Sequence, residues 1–181
     1  LRPCILISWA LFAYQTMVGQ INTDVFLLEM TNENGRTIVS NPINISNNEG
    51  YDNQPSYYND DTILFSSTRN GQTDIAQYQI SSGEISWLTN TTVGSEYSPT
   101  RIPDSNDFSA IRLDTTGLQR LYQYDMASGK SVLIRKDAKI GYHAWFSPAI
   151  LINTVLVENR MDLVLSNLKG HTNTIIQKNV G

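Results

Sequence analysis

Short runs of alternating apolar and polar residues follow one another along most of the chain, and turn residues separate them. In one such run Ile63, Phe65 and Ser67 alternate with Leu64 and Ser66. An Asn-Gly pair at 70–71 follows this run and is typical of a tight turn, because both residues tolerate positive φ. No segment after residue 20 keeps a helical period. The pattern therefore predicts an all-β protein made of short strands.

The strands belong to an internal repeat with a period of about 46 residues. Four residues of one copy recur in register in the next: Ile75, Tyr78, Ser82 and Gly83 correspond to Leu121, Tyr124, Ser128 and Gly129. Tyr51 and Tyr97 keep the same spacing, and a weaker third copy begins at Ile140. Each copy reads as four strands, and this period with four strands per unit is typical of β-propeller blades.

The copies predict an incomplete β-propeller of about three and a half four-stranded antiparallel blades. We expect a half blade at 21–47 and full blades at 48–92, 93–138 and 139–178. The half blade is inferred because Asp24, Val25 and Phe26 resemble the third strand of a full blade, which carries Asp74 and Ile75. Val180 and Gly181 resemble the start of another blade. The pattern thus predicts a part of a longer propeller.

The first twenty residues differ from the rest of the chain. Arg2 is the only charged residue among them, and the run from Cys4 to Val18 is almost wholly apolar. A run of this length after a positive start is typical of a signal peptide and is short for a membrane span, with Gly19 near the expected cleavage point. An uncleaved anchor and a buried first strand are the alternatives. Export predicts a periplasmic or cell-surface protein that is not integral to the membrane once residues 1–20 are removed.

Composition and charge restrict the classes of function. The chain is 40% hydrophobic and 17% charged, as in globular proteins, and its net charge of −4 argues against a nucleic-acid partner. Cys4 is the only cysteine, so a cleaved chain has no disulfide and no cysteine nucleophile. We expect no cofactor and no metal, because Asp60 and Asp61 read as a turn and lack the spacing of a calcium loop.

The two histidines do not complete a catalytic set in the sequence. No Gly-x-Ser-x-Gly segment is present, so the chain lacks the nucleophile elbow of the α/β-hydrolases. His143 stands close to Trp145 on a predicted inner strand, where we expect it to be packed. His171 follows Lys169 and Gly170 in a predicted turn, where we expect it to be solvated. We therefore predict a protein that is not an enzyme.

Tyr51, Tyr97 and Tyr142 recur near the start of successive copies. One interpretation is that they pack between blades. The other is that they form a ring of aromatic side chains around one mouth of the propeller, where a ligand or a peptide docks. They are the candidate partner-binding residues.

The repeat resembles that of the TolB-type, WD-repeat-like propellers of exported bacterial proteins. The second copy has Arg112, Leu113 and Gly117 in place of the Phe-x-Ser and Arg-Gly elements of the pattern, and the third keeps only a few of its residues. The residues that carry the resemblance are Tyr51, Pro55, Asp60, Phe65, Ser67, Arg69, Gly71, Asp74 and Ile75 in the first copy, Tyr97, Pro99, Asp104, Leu121 and Tyr122 in the second, and Tyr142, Trp145, Ser147 and Pro148 in the third.

The resemblance implies a function without choosing a single one. Relatives of this repeat are exported scaffolds that bind other envelope proteins, so we expect a non-catalytic interaction scaffold with an envelope protein as its partner. The repeat also forms the propeller part of serine peptidases of the prolyl-oligopeptidase type, and a larger hydrolase is one alternative. A carbohydrate-binding or small-ligand-binding propeller is another.

Overall fold

The structure, a computed structural model, describes residues 22–181. Within this range the chain forms fourteen β-strands and no helix. The strands are β1 (Phe26–Glu33), β2 (Arg36–Asn44), β3 (Asp52–Asn59), β4 (Thr62–Arg69), β5 (Gln72–Gln79), β6 (Glu84–Trp87), β7 (Gly94–Arg101), β8 (Asp107–Asp114), β9 (Gln119–Asp125), β10 (Ser131–Leu133), β11 (Ile140–Ser147), β12 (Ile150–Val157), β13 (Arg160–Asn167) and β14 (Thr172–Gln177). The segment 1–20, with its predicted signal peptide, lies outside the described residues.

The strands form one two-stranded and three four-stranded antiparallel sheets, each in chain order. We call them blade 1 (β1–β2), blade 2 (β3–β6), blade 3 (β7–β10) and blade 4 (β11–β14). Tight turns join neighbouring strands, and Asn70 and Gly71 between β4 and β5 have φ values of 52° and 78°. Both are left-handed, as the Asn-Gly pair predicts. The predicted fold class, an incomplete all-β propeller, is confirmed.

Three apolar clusters hold successive blades face to face, because each draws residues from two neighbouring sheets. A four-stranded sheet has two faces, and here each buried face is covered by the next sheet. The clusters are Val25 and Ile45 with Ile63, Phe65 and Ala76 between blades 1 and 2; Leu64 and Ile75 with Phe108, Ala110 and Tyr124 between blades 2 and 3; and Ile111 and Leu121 with Ile140 and Leu151 between blades 3 and 4.

The first strands of the three full blades lie side by side, since β7 contacts both β3 and β11. We call β3, β7 and β11 the inner strands. Asp52 of β3 pairs with Ser67, and Ser67 pairs with Asp74. In blade 3 Glu96 pairs with Arg112, and Arg112 pairs with Arg120, so these residues correspond to Asp52, Ser67 and Asp74.

These pairings correct the predicted register of the inner strands. Asp74 and Arg120 are 46 residues apart, but Asp52 and Glu96 are only 44 apart. The spacing drifts because β-bulges interrupt the inner strands and because the turns of the two blades differ in length. Ile140 of blade 4 continues the 44-residue series.

Candidate functional site

The structure brings the three tyrosines together at one end of the inner strands. The rings of Tyr51 and Tyr97 meet edge to face with centroids 6.2 Å apart. Burial raises the pKa of the Tyr51 phenol, and the neighbouring phenols of Tyr97 and Tyr142 raise it further. Tyr142 is the most open of the three and exposes 58% of its surface. This exposed phenol gives the cluster a surface that a partner can reach.

The tyrosines nevertheless do not occupy one position of the repeat. In the 44-residue register Tyr97 corresponds to Asn53 and Tyr142 corresponds to Ser98. The prediction that Tyr51 and Tyr97 are equivalent is therefore wrong. They meet because residues from different positions of neighbouring inner strands converge at the same end.

A hollow of about 260 Å³ lies beside the tyrosines, and we call it the tyrosine hollow. Its wall combines phenol, amide and hydroxyl groups with aliphatic side chains. Three of its residues, Gln54, Ser98 and Tyr142, occupy the same position of successive inner strands. The full lining is Gln54, Tyr97, Ser98, Ile111, Leu113, Gln119, Gly141, Tyr142, Leu156 and Met161.

Gln54 and Ser98 shape the rim of the tyrosine hollow. Both have positive φ, 56° and 53°, and both precede a proline. Such a backbone is uncommon for residues other than glycine and is held by the surrounding contacts. The Gln54 side-chain oxygen accepts hydrogen bonds from the Ser98 amide at 2.8 Å and from the Ser66 hydroxyl at 3.2 Å. The bond from the Ser98 amide ties blade 3 to blade 2.

Gln54 and Ser98 were not predicted as site residues. The signal in the sequence was the 44-residue spacing of Pro55 and Pro99, which differs from the 46-residue spacing of the third strands. Gly141 also lies in the wall, at the position of Tyr97 in blade 3. A Cβ atom there would lie 2.9 Å from the Thr154 hydroxyl, so any larger residue would have to displace the wall.

Ser109 and His143 form the one serine–histidine contact among residues 22–181. The His143 Nε2 atom lies 2.7 Å from the Ser109 Oγ atom, and Trp145 Nε1 donates to the same oxygen at 2.8 Å. Ser109 in turn donates to the Thr100 carbonyl at 3.2 Å. With its proton used there, the hydroxyl accepts from His143, which assigns the imidazole proton to Nε2.

The surroundings hold this contact neutral. Ser109 is fully buried, and burial lowers the pKa of His143 to about 4. The His143 Nδ1 atom is buried and has no hydrogen-bond partner in residues 22–181, so no carboxylate orients the ring. The serine is not activated for nucleophilic attack in this arrangement. His143 is packed as predicted, and His171 is exposed in the turn between β13 and β14.

Glu96, on the inner strand β7, is fully buried. Arg112 Nε donates to Glu96 Oε1 at 3.2 Å, Tyr124 donates to the same oxygen at 3.2 Å, and the Thr89 hydroxyl donates to Oε2 at 3.1 Å. Burial raises the pKa of Glu96, while the Thr89 and Arg112 contacts oppose the rise. The acid is enclosed between blades 2 and 3 and stabilises that interface.

Residues 22–181 contain no group of three or more His, Cys, Asp or Glu side chains arranged to hold a metal ion. In the same part of the chain no helix is long and apolar enough to cross a membrane.

Known proteins resemble the chain in structure only. No protein-family model matches the sequence. No curated protein matches it significantly. TolB from Acinetobacter baumannii superposes with a TM-score of 0.61 at 17% identity, over 80% of this chain and 35% of that chain. A putative TolB from Agrobacterium tumefaciens gives 0.64 at 16% identity, over 81% of this chain and 58% of that chain.

A puromycin-hydrolyzing peptidase of Mycobacterium tuberculosis also matches, with a TM-score of 0.57 at 11% identity, over 83% of this chain and 24% of that chain. The chain thus spans between about a quarter and three fifths of the length of these proteins. At these identities the likeness describes the fold. The chain has the fold of a TolB-like β-propeller.

Proposed function

We propose that this protein is an exported, non-catalytic scaffold that binds another protein of the bacterial envelope at the tyrosine hollow. The observation that carries the proposal is the convergence of Tyr51, which directly precedes β3, with Tyr97 of β7 and Tyr142 of β11. Tyr97 and Tyr142 line an open hollow. Tyrosine is enriched at protein interfaces because its ring provides apolar area and its hydroxyl provides a hydrogen bond.

The chemistry of the hollow favours an extended segment of a partner protein. A volume of about 260 Å³ accommodates one large apolar side chain, and Ile111, Leu156 and Met161 provide an apolar wall for it. The phenol of Tyr142 and the amide of Gln54 at the rim are placed to bond the backbone of the same segment. A segment with one apolar anchor therefore suits this site better than a flat surface does.

Two further observations support the scaffold role. The Ser109–His143 contact is neutral and part-buried between blades 3 and 4, so it offers no activated nucleophile. The apolar run from Cys4 to Val18 after Arg2 supports export to the periplasm or the cell surface. The fold itself does not choose between a scaffold and the propeller part of an enzyme, because propellers serve both.

The test places a photo-crosslinking amino acid at position 142 of the full chain in an envelope extract. Position 57 is the matched control, since Tyr57 is 62% exposed but lies beside blade 1, away from the hollow. We expect position 142 to crosslink to a defined envelope protein and position 57 to give no such product. Equal labelling from both positions, or no specific product from position 142, would contradict the proposal.

A substitution gives the affinity arm of the same test. Tyr142→Ala should weaken capture of the crosslinked partner by at least about tenfold, as for an aromatic anchor, with an unchanged melting temperature. Tyr57→Ala should leave capture unchanged. If Tyr142→Ala captures the partner with the same affinity as the parent chain does, the hollow is not part of the interface.

A further inference from the structure

A second, larger cleft of about 510 Å³ lies between blades 3 and 4, and we call it the lateral cleft. One side is the connection from β10 to β11, and the other is the hairpin of β13 and β14. It shares no residue with the tyrosine hollow. The lining is Leu133, Ile134, Arg135, Lys136, Asp137, Asn167, Leu168, His171 and Asn173.

Between blades 2 and 3 the corresponding hairpin lies against the preceding blade, so among residues 22–181 no such cleft opens there. One residue of the hairpin explains much of this difference between the two interfaces. Asp125 of blade 3 and Asn167 of blade 4 are equivalent, because they pair with the first residues of β8 and β12. Four positions after each of them, the turn of the hairpin contains a residue with positive φ. That residue is Gly129 in blade 3 and His171 in blade 4, with φ of 66° and 51°.

The missing side chain at Gly129 lets its hairpin touch the preceding blade. A Cβ atom at Gly129 would lie only 2.3 Å from the Leu88 carbonyl oxygen, so no other residue fits this contact. Leu88 and Ile134 are equivalent, because their amides bond the carbonyls of Ile75 and Leu121. His171 carries a Cβ atom and cannot approach Ile134 in the same way. The hairpin of blade 4 therefore stands away and leaves the lateral cleft open.

A second replacement puts a small polar residue next to Arg135, which lines the lateral cleft. Tyr124 of blade 3 is fully buried and stacks on Phe108 at 5.1 Å. Ser166 occupies the equivalent position of blade 4, since it pairs with Leu151 as Tyr124 pairs with Phe108. The Ser166 hydroxyl accepts a hydrogen bond from Arg135 Nη1 at 2.7 Å. Blade 4 therefore has a small hydroxyl side chain bonded to Arg135 where blade 3 has an aromatic ring.

The charges of the lateral cleft add up to one positive charge. Arg135 forms a two-pronged ion pair with Asp137, at 2.8 and 3.0 Å, which cancels both charges. Lys136 also lines the cleft, is exposed, and makes no ion pair among residues 22–181. The ammonium group of Lys136 is therefore available to one negative charge of a ligand.

The remaining polar groups are suited to hydroxyls. Asn173 accepts from Arg135 with its side-chain oxygen at 2.9 Å, which leaves its NH₂ group to donate to a ligand. Asn167 likewise accepts from the Gly170 amide with its oxygen at 2.8 Å. The two amide NH₂ groups can donate hydrogen bonds to the hydroxyl groups of a ligand, and the Asp137 carboxylate can accept hydrogen bonds from them. Leu133 and Leu168 provide apolar contact on the sides.

We propose that the lateral cleft binds a small monoanion that carries several hydroxyl groups, of the size of a sugar acid. Lys136 holds the carboxylate, the amides of Asn167 and Asn173 with Asp137 hold the hydroxyls, and Leu133 and Leu168 contact the ring. A cleft of about 510 Å³ lies within the range of small-molecule sites. This site is independent of the proposed scaffold function.

The test titrates D-glucuronate into the full chain by calorimetry, with D-glucose as the neutral analogue and inorganic phosphate as the anion without a sugar ring. We expect glucuronate to bind at least about tenfold more tightly than either probe, because charge and hydroxyls are both needed. Lys136→Gln should remove this preference. Lys130→Gln is the matched control, since Lys130 makes the same charge change in the hairpin of blade 3.

A variant that acts on the shape of the lateral cleft completes the test. His171→Gly removes the side chain that holds the hairpin away, so glucuronate binding should fall at least about tenfold while the melting temperature stays equal or rises. The proposal fails if glucuronate binds no better than glucose or phosphate. It also fails if Lys136→Gln and Lys130→Gln have equal effects, or if His171→Gly binds glucuronate as the parent chain does.

Discussion

The interface of blades 2 and 3 and the interface of blades 3 and 4 bury polar side chains in opposite ways. The first encloses a charged pair, in which Arg112 and Glu96 lie 3.2 Å apart and Tyr124 bonds both. The second encloses a neutral contact, in which Ser109 and His143 are bonded and burial keeps the imidazole unprotonated at neutral pH. The same stacking of sheets therefore accommodates either a charged pair or a neutral hydrogen-bonded pair.

One position of the inner strands shows what the stacking requires. It is occupied by Asp52, Glu96 and Ile140 in blades 2, 3 and 4, and all three are buried. The apolar Ile140 shows that no charge is needed there. Within residues 22–181 Glu96 accepts three hydrogen bonds, one of them from Arg112, whereas Asp52 Oδ1 accepts only from the Asn48 side-chain amide, at 3.3 Å. Asp52 Oδ2 has no partner among residues 22–181.

The largest expected effect comes from breaking the charged pair on one side. Arg112→Val leaves Glu96 buried without its cation, so the free energy of unfolding should fall by about 3–5 kcal/mol. Urea denaturation followed by tryptophan fluorescence measures the change. Arg112→Val with Glu96→Ile copies the Ile140–Val155 pair of blade 4 and should recover at least about half of the loss. A double variant as unstable as the single one would contradict this account of the interface.

The second largest expected effect is the loss of stability at acid pH, which comes from the neutral contact of Ser109 and His143. The folded pKa of His143, about 4, lies below its ordinary value of 6.5, so the unfolded chain binds the proton first as the pH falls. The stabilisation from His143 is complete above pH 6.5 and is lost between about pH 6.5 and 4, by roughly 3 kcal/mol in total.

The matched variant for this pH dependence is His143→Gln, which stays neutral over the whole range. The free energy of unfolding of the parent chain should fall more steeply than that of His143→Gln between pH 7 and pH 4.5. Titration of the carboxyl groups is common to both proteins and cancels in the difference. Parallel curves for the two proteins would show that His143 is protonated as easily in the folded chain as in the unfolded one.

The smallest expected effect compares the two buried acids directly. Glu96→Gln replaces an acceptor oxygen with an NH₂ group among donors, so we expect a loss of about 1–3 kcal/mol. Asp52→Asn removes a charge whose second oxygen has no partner in the described part of the chain, so we expect a change of about 0.5 kcal/mol or less. Thermal unfolding of both variants measures the difference. A larger loss for Asp52→Asn than for Glu96→Gln would reverse the comparison.

The sequence was most informative where local rules are strict. Asn70 and Gly71 predicted their turn because few residues accept positive φ, and the alternation from Ile63 to Ser67 predicted β4. The packing of His143 was also predicted from its neighbours on the strand. The repeat spacing predicted one shared position for the tyrosines, which they do not have, yet they do meet in the structure. Their role in binding stays a prediction.

The sequence by itself determined the strands, their turns and the sheet as the repeating unit, because alternation and turn residues act within a few positions of the chain. Tertiary structure alone decided which side chains meet between blades. The contact of Gly129 with Leu88, and the absence of its counterpart at His171, depend on distances between sheets that no spacing along the chain expresses. The tyrosine hollow and the lateral cleft both arise there, because each is lined by residues of neighbouring sheets.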